Sequence, residues 1–176
     1  MMDVSCGITD RAITVFKLAR DVANDCNRAD ISTVDILLSL VKEGTGIAAS
    51  HLIHIGFDRY VPGIIYREPL DIPDDEFEGW RECGMREMQN LTGEAKCMFS
   101  ISIRQSIICH FHQFDTAVER NARNTYIGTE HLLLGILQSP DCSAFSMLES
   151  HLNVIGQSIE SLDADIRDLL YYNNRK

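Results

Sequence analysis

Few residues in this 176-residue chain combine the type and the spacing that chemistry needs. Glu130 and His131 stand at the head of an apolar run, Leu132-Leu133-Leu134-Gly135-Ile136-Leu137. A carboxylate there can settle a helix N-terminus or oppose a cation. Thr9, before Asp10, is placed to cap another helix. His51 and His54 share a helix face at i, i+3, as do Cys109 and His112, and both pairs raise the question of metal. A structural zinc needs four ligands held together, and no CxxC or HxxxH pair supplies a set. No metal and no cofactor are therefore expected. For nucleophilic catalysis any Cys could be paired with any His, but no local motif supports one, so catalysis is not expected either. Trp80, the only Trp, sits in an acidic stretch as a candidate contact for a partner.

The elements that must position these residues come from a repeat. Thr125-Tyr126-Ile127-Gly128-Thr129-Glu130-His131 leads into the run ending at Leu137. The same layout occurs earlier, from Ile31-Ser32-Thr33-Val34-Asp35 to Val41, 96 positions before. Both runs lack a polar face, which predicts helices covered on most sides. Around the first copy the spacing predicts a helix from Asp10 (Ala12, Val15, Phe16, Ala19, Val22, Ala23, Cys26) and one from Thr33, capped by Ser32 with Asp35 as its box partner. A helix over 47–55, stopped by Gly56, and a short one starting near Asp58 or Val61 follow. Around the second copy, Ser100 or Ser102 is expected to cap a long helix through Ile103, Ile107, Ile108, Phe111 and Phe114. Helices over 128–137, 144–152 and 155–170 complete that half. The fold class is all-α, two pseudo-symmetric four-helix repeats of about eight helices, in one domain: repeat 1 at 8–67, an acidic linker at 68–98 and repeat 2 at 99–171.

The linker region differs from the rest. From Glu68 to Glu94 it holds nine acids against two Arg. Pro69 and Pro73 mark its entry as non-helical, and Phe77, Trp80, Gly84, Met88 and Leu91 then fall at helical spacing, predicting one extra short amphipathic helix. The chain as a whole carries a net charge of −10, which opposes nucleic acid and anionic membrane as partners. No apolar run approaches the length of a membrane span, and an acid stands near the N-terminus where a signal peptide would carry Lys or Arg. Six Cys at irregular spacing read as reduced thiols. A cytoplasmic location is expected.

Thr9-Asp10-Arg11-Ala12, Leu37-Leu38 and Glu43-Gly44-Thr45-Gly46-Ile47-Ala48-Ala49 resemble the first repeat of the Clp ATPase N-terminal domain. Tyr126-Ile127-Gly128-Thr129-Glu130-His131-Leu132-Leu133-Leu134-Gly135 resembles the second repeat of its ClpC type. The resemblance covers residues 8–66 and about 100–170. It implies an all-α pseudo-twofold domain without catalytic activity that binds substrates or adaptors of a ring-shaped unfoldase. No GxxxxGK[ST] phosphate loop occurs, so the ATPase modules are absent from this sequence and a stand-alone domain is expected. The implied partner is a protein: a Clp ATPase, protease, adaptor or client. In ClpC-type domains a Glu in each repeat helps hold the guanidinium of phosphorylated arginine. Here Glu130 keeps it in the second repeat, whereas Val34 stands at the matching position of the first and can neither accept a hydrogen bond nor oppose a cation. Two alternatives follow from the resemblance: a structural accessory subunit of a Clp protease, like the plant ClpT proteins, or a single-site phosphoarginine-type binder. Glu130 and Thr9 are the binding residues it implies, with Trp80 added from the acidic stretch.

Overall fold

The computed structural model describes residues 6–60, 84–113 and 125–172. The first half runs β1 (Cys6–Ile8), α1 (Asp10–Asp25), α2 (Thr33–Glu43), α3 (Ile47–His54) and the short α4 (Phe57–Tyr60). The second runs α5 (Gly93–Gln113), β2 (Thr125–Ile127), α6 (Thr129–Leu137), α7 (Ser143–Val154) and α8 (Ile159–Tyr172). Among the described residues the architecture is all-α apart from one two-stranded parallel pairing and one isolated bridge.

That pairing reveals how the halves are joined. β1 lies parallel to β2 with Ile8 opposite Ile127, and the Thr9 amide donates to the Ile127 carbonyl at 3.0 Å. An isolated parallel bridge sets Ile31 opposite Leu91, and the Thr92 amide donates to the Ile31 carbonyl at 2.9 Å. Ile8 and Leu91 precede equivalent helices 83 positions apart, and Ile31 and Ile127 precede equivalent helices 96 apart. The two junctions are thus one junction repeated about a pseudo-twofold axis. The caps repeat as well: Thr9 Oγ1 accepts from the Ala12 amide at 3.3 Å, and Thr92 Oγ1 from the Ala95 amide at 3.2 Å.

Packing obeys the same symmetry. α1 lies along α2, and α5 along α6. α3 crosses to α6, while α7 crosses to α2, so each half covers the other's apolar helix. Every residue of α6 is buried, and in α2 Ile36, Leu37, Leu40 and Val41 are. A single hydrophobic core results, running through both halves from Phe16 and Leu37 to Leu133 and Leu152. Neither apolar helix could be covered by its own half alone, which makes joint folding the stable solution. Among the described residues no single helix is long and apolar enough to cross a membrane.

Several expected boundaries move. α5 begins at Gly93 behind its cap Thr92, not at Ser100 or Ser102. Those two serines sit inside the helix and return their hydroxyls to the carbonyls four residues back, Ser100 to Lys96 at 3.0 Å and Ser102 to Met98 at 3.1 Å. The expected division at 98/99 therefore falls within α5. α8 starts at Ile159, because Gly156 (φ 73°) breaks the chain after α7 and Ser158 Oγ accepts from the Ser161 amide. Gly56 (φ 72°) breaks it likewise after α3, and α4 begins at once at Phe57. Of the acidic segment, a helical turn at 84–87 is described, and most of the expected linker helix lies outside the described residues.

Candidate functional site

Three helix N-termini meet around one cleft. α1 arrives with Thr9, Asp10 and Arg11, α3 with Gly46 and Ile47, and α6 with Gly128, Thr129 and Glu130. Between them lies a cleft of about 390 Å³. Thr9 and Glu130, far apart in sequence, line the same cavity. Trp80 lies outside the described residues.

Two glycines set the geometry. A β-carbon on Gly46 would stand 2.4 Å from Thr129 Oγ1 and 2.9 Å from Glu43 Oε2. Only glycine lets the start of α3 approach α6 this closely. The turn before it is held by Glu43, whose carboxylate accepts from the Gly46 amide at 2.7 Å and the Thr45 hydroxyl at 2.5 Å. At Gly128 a β-carbon would meet Glu130 Oε1 at 2.3 Å, so the Glu130 side chain folds back over bare backbone.

Glu130 is 6% exposed. Burial pushes its carboxyl above the ordinary value; its own backbone amide, the Thr129 hydroxyl and the charge of Arg11 pull the other way. The Thr129 hydroxyl donates to Oε2 at 3.5 Å. A buried carboxylate so weakly compensated has capacity left for a cationic or hydrogen-bonding guest. His131 does not supply the missing charge. Its Nδ1 lies 3.4 Å from Glu130 Oε1, yet burial lowers its pKa to about 4. The ring is neutral at pH 7, and Nδ1 accepts from the Gly128 amide at 3.0 Å. His131 is a packing and capping residue, as the Tyr126 ring edge-on at 5.6 Å also indicates.

Both signs of charge line the cleft, and the Arg11 charge acts on the Glu130 carboxyl. Arg11 is exposed and braced by donating to the Thr45 carbonyl at 2.8 Å. The caps of α3 and α6 are glycines and offer no side-chain hydrogen bond to their helices. The cleft therefore presents the Glu130 carboxylate on its wall, the Asp10 carboxylate and the Arg11 guanidinium from the start of α1, and positive helix ends around it. That set suits a ligand carrying both signs. Thr9 is occupied in capping, its Oγ1 accepting from the Ala12 amide at 3.3 Å. Among the described residues no three His, Cys, Asp or Glu side chains come close enough together to hold a metal.

The chain is similar in sequence to Clp proteins. The chain is 33% identical over 147 residues to a probable ATP-dependent Clp protease ATP-binding subunit of Chlamydia pneumoniae, a match covering 81% of the chain and 14% of that protein. It is 28% identical over 170 residues to the chloroplastic chaperone protein ClpC1 of Oryza sativa subsp. japonica, with 90% of the chain and 16% of that protein covered. It is also 28% identical over 165 residues to the negative regulator of genetic competence ClpC/MecB of Bacillus subtilis (strain 168), covering 94% of the chain and 17% of that protein. The chain is homologous to a small part of the ClpC/ClpA proteins. Its helical architecture fits the Clp N-domain-like all-α fold. It spans about one sixth of the length of these curated relatives. No family model matches the chain.

Within this Clp N-domain-like fold, Thr9 and Glu130 were legible as candidates and meet in one cleft. Arg11 and Gly46 were not singled out. Arg11 reads in sequence as one more helix-surface charge, and Gly46 as a turn glycine. Only the packing of α3 on α6 gives either a role.

Proposed function

We propose that the chain is a non-catalytic protein-binding module, accessory to ATP-dependent protein unfolding or proteolysis, with the α1/α3/α6 cleft as a principal contact. The observation that carries this reading is the under-compensated Glu130 carboxylate facing a cleft that Arg11 borders. The relation to the Clp N-terminal region supports the class of partner: a Clp ATPase, protease, adaptor or client, met in the cytoplasm. The net charge of −10 weighs against nucleic acid and anionic membranes. Trp80 and its acidic surroundings are proposed as a second contact. The test is co-purification from the native cell, with wild type and Glu130→Ala compared. Recovery of a Clp component by wild type, reduced at least fivefold by the variant, is expected; recovery of none overturns the reading.

A narrower reading makes the cleft a single phosphoarginine-type site, with the guanidinium against Glu130 and the phosphate toward Arg11 and the helix ends. The pairing of signs in one cavity favours it. Calorimetry with free phosphoarginine tests it: heat with wild type, none with Glu130→Ala. Silence from both proteins removes it and leaves the protein-binding reading to stand on co-purification. A structural accessory subunit of a Clp protease, in the manner of ClpT, would bind the protease equally well with and without the Glu130 carboxylate.

A further inference from the structure

The pseudo-twofold axis that builds the cleft must build a second one, and the structure shows what became of it. The equivalents of α1, α3 and α6 are α5, α7 and α2. Thr92 takes the place of Thr9, Cys142 that of Gly46, and Thr33 that of Thr129. Arg11 has Glu94 as its counterpart, 83 positions on, so the charge at this position is reversed. Whereas Arg11 stays at the rim, Glu94 reaches in. Its Oε1 accepts from the Ser143 amide at 2.5 Å and from the hydroxyl of fully buried Thr33, and its Oε2 from the Ser143 hydroxyl at 3.3 Å. Thr33 Oγ1 in turn accepts from the Ala144 amide at 3.3 Å. The first two amides of α7 are thereby consumed by groups of the chain itself, and the Cys142 sulfur accepts a third from Phe145 at 3.4 Å. In the open cleft the corresponding helix, α3, has no side-chain cap.

We infer that Glu94 is the built-in occupant of the second cleft, so that the chain offers a charged partner group one place to bind instead of two. A carboxylate at a helix start makes charge-assisted hydrogen bonds of the kind a phosphate or a partner's carboxylate would make. Because Glu94 is tethered to α5, an external anion must displace a group whose effective concentration is high. The single-site stoichiometry rests on the proposed reading of the open cleft; the occupancy of the second cleft by Glu94 does not.

The experiment is a titration with inorganic phosphate followed by amide NMR shifts in wild type, Glu94→Ala and Glu94→Gln. Ser143 and Ala144 report the closed cleft; Ile47 and Thr129 report the open one. In wild type Ser143 and Ala144 are expected to stay unmoved, and in Glu94→Ala to shift saturably, with at least tenfold tighter apparent binding. Glu94→Gln keeps the shape and a neutral acceptor, and its response should fall between the two; it carries the test if the Ala variant fails to fold. Saturable movement of Ser143 in wild type would overturn the inference, as would folded variants as silent as wild type. Failure at Ile47 and Thr129 alone would count against the proposed function and leave the role of Glu94 intact.

Discussion

Gly46 lies so close to Thr129 that a β-carbon on it would stand 2.4 Å from the threonine hydroxyl oxygen. This contact seats the start of α3 against the start of α6 and fixes the floor of the cleft. Glu43 Oε2, at 2.9 Å from the same point, blocks relief on the other side. Gly46→Ala should therefore destabilise the fold by about 1–3 kcal/mol through overpacking. Chemical denaturation checks the magnitude. Chemical-shift changes centred on Thr129 and Glu130 should show that the damage is at the cleft.

Glu130 should behave as a residue that costs stability. Burial raises its folded carboxyl pKa above the ordinary 4.5, so the folded state holds the proton more tightly than the unfolded one. The stabilisation this gives is present at low pH and is lost as pH rises from the ordinary value through the raised one. At pH 7 the ionised, buried carboxylate is a net burden. Glu130→Gln should be as stable as wild type or more so at pH 7, and the difference should close below pH 4.5. Thermal melts across that range test the sign. A variant that gains stability while losing its partner would separate binding from folding at this residue.

His131 acts in the opposite sense. Its pKa falls from 6.5 to about 4 on burial, so the unfolded chain takes up a proton at a pH where the folded chain does not. The stability it supports is complete above pH 6.5 and is lost as pH falls toward about 4, by about 3 kcal/mol in total. His131→Asn keeps an acceptor for the Gly128 amide and removes the titration. The difference in unfolding free energy between wild type and variant should shift across this window and be flat above it. A pH-independent difference would show that the ring is not the titrating group.

The repeat was readable because its apolar positions are: Ile31 and Ile127, Leu37 and Leu133, Leu40 and Ile136 hold the same places in both halves and are buried in both. The start of α5 was misread because Thr92-Gly93 is hidden in acidic sequence, while Ser100 and Ser102 look like caps. Mid-helix serines that bond back to carbonyls are indistinguishable from caps until the backbone is seen. The pairing of Cys6–Ile8 with Thr125–Ile127 was not legible at all, since three residues carry no periodicity and the partner is more than a hundred positions away. The site divides along the same line. Glu130 and Thr9 announce themselves at helix starts, whereas Arg11 and Gly46 acquire meaning from neighbours that are distant in sequence.

Gly135 should show how tightly α5 and α6 are pressed together. A β-carbon there would come 2.0 Å from Ser102 Oγ, 3.0 Å from the Met98 carbonyl oxygen and 3.1 Å from Met98 Sδ. The serine hydroxyl can turn away, but only by giving up its bond to the Met98 carbonyl at 3.1 Å. The carbonyl belongs to the α5 backbone and can recede only if the helix does. Gly135→Ala gains helix propensity, about 1 kcal/mol in an unhindered helix, and should nevertheless destabilise the protein by about 1–3 kcal/mol, because the steric cost outweighs it. Ser102→Ala removes the nearest obstacle and leaves the carbonyl. In the double variant it should restore part of the loss, giving a coupling energy of about 0.5–3 kcal/mol in a double-mutant cycle. Strict additivity would mean that the helices separate on their own and that the contact is looser than the structure shows.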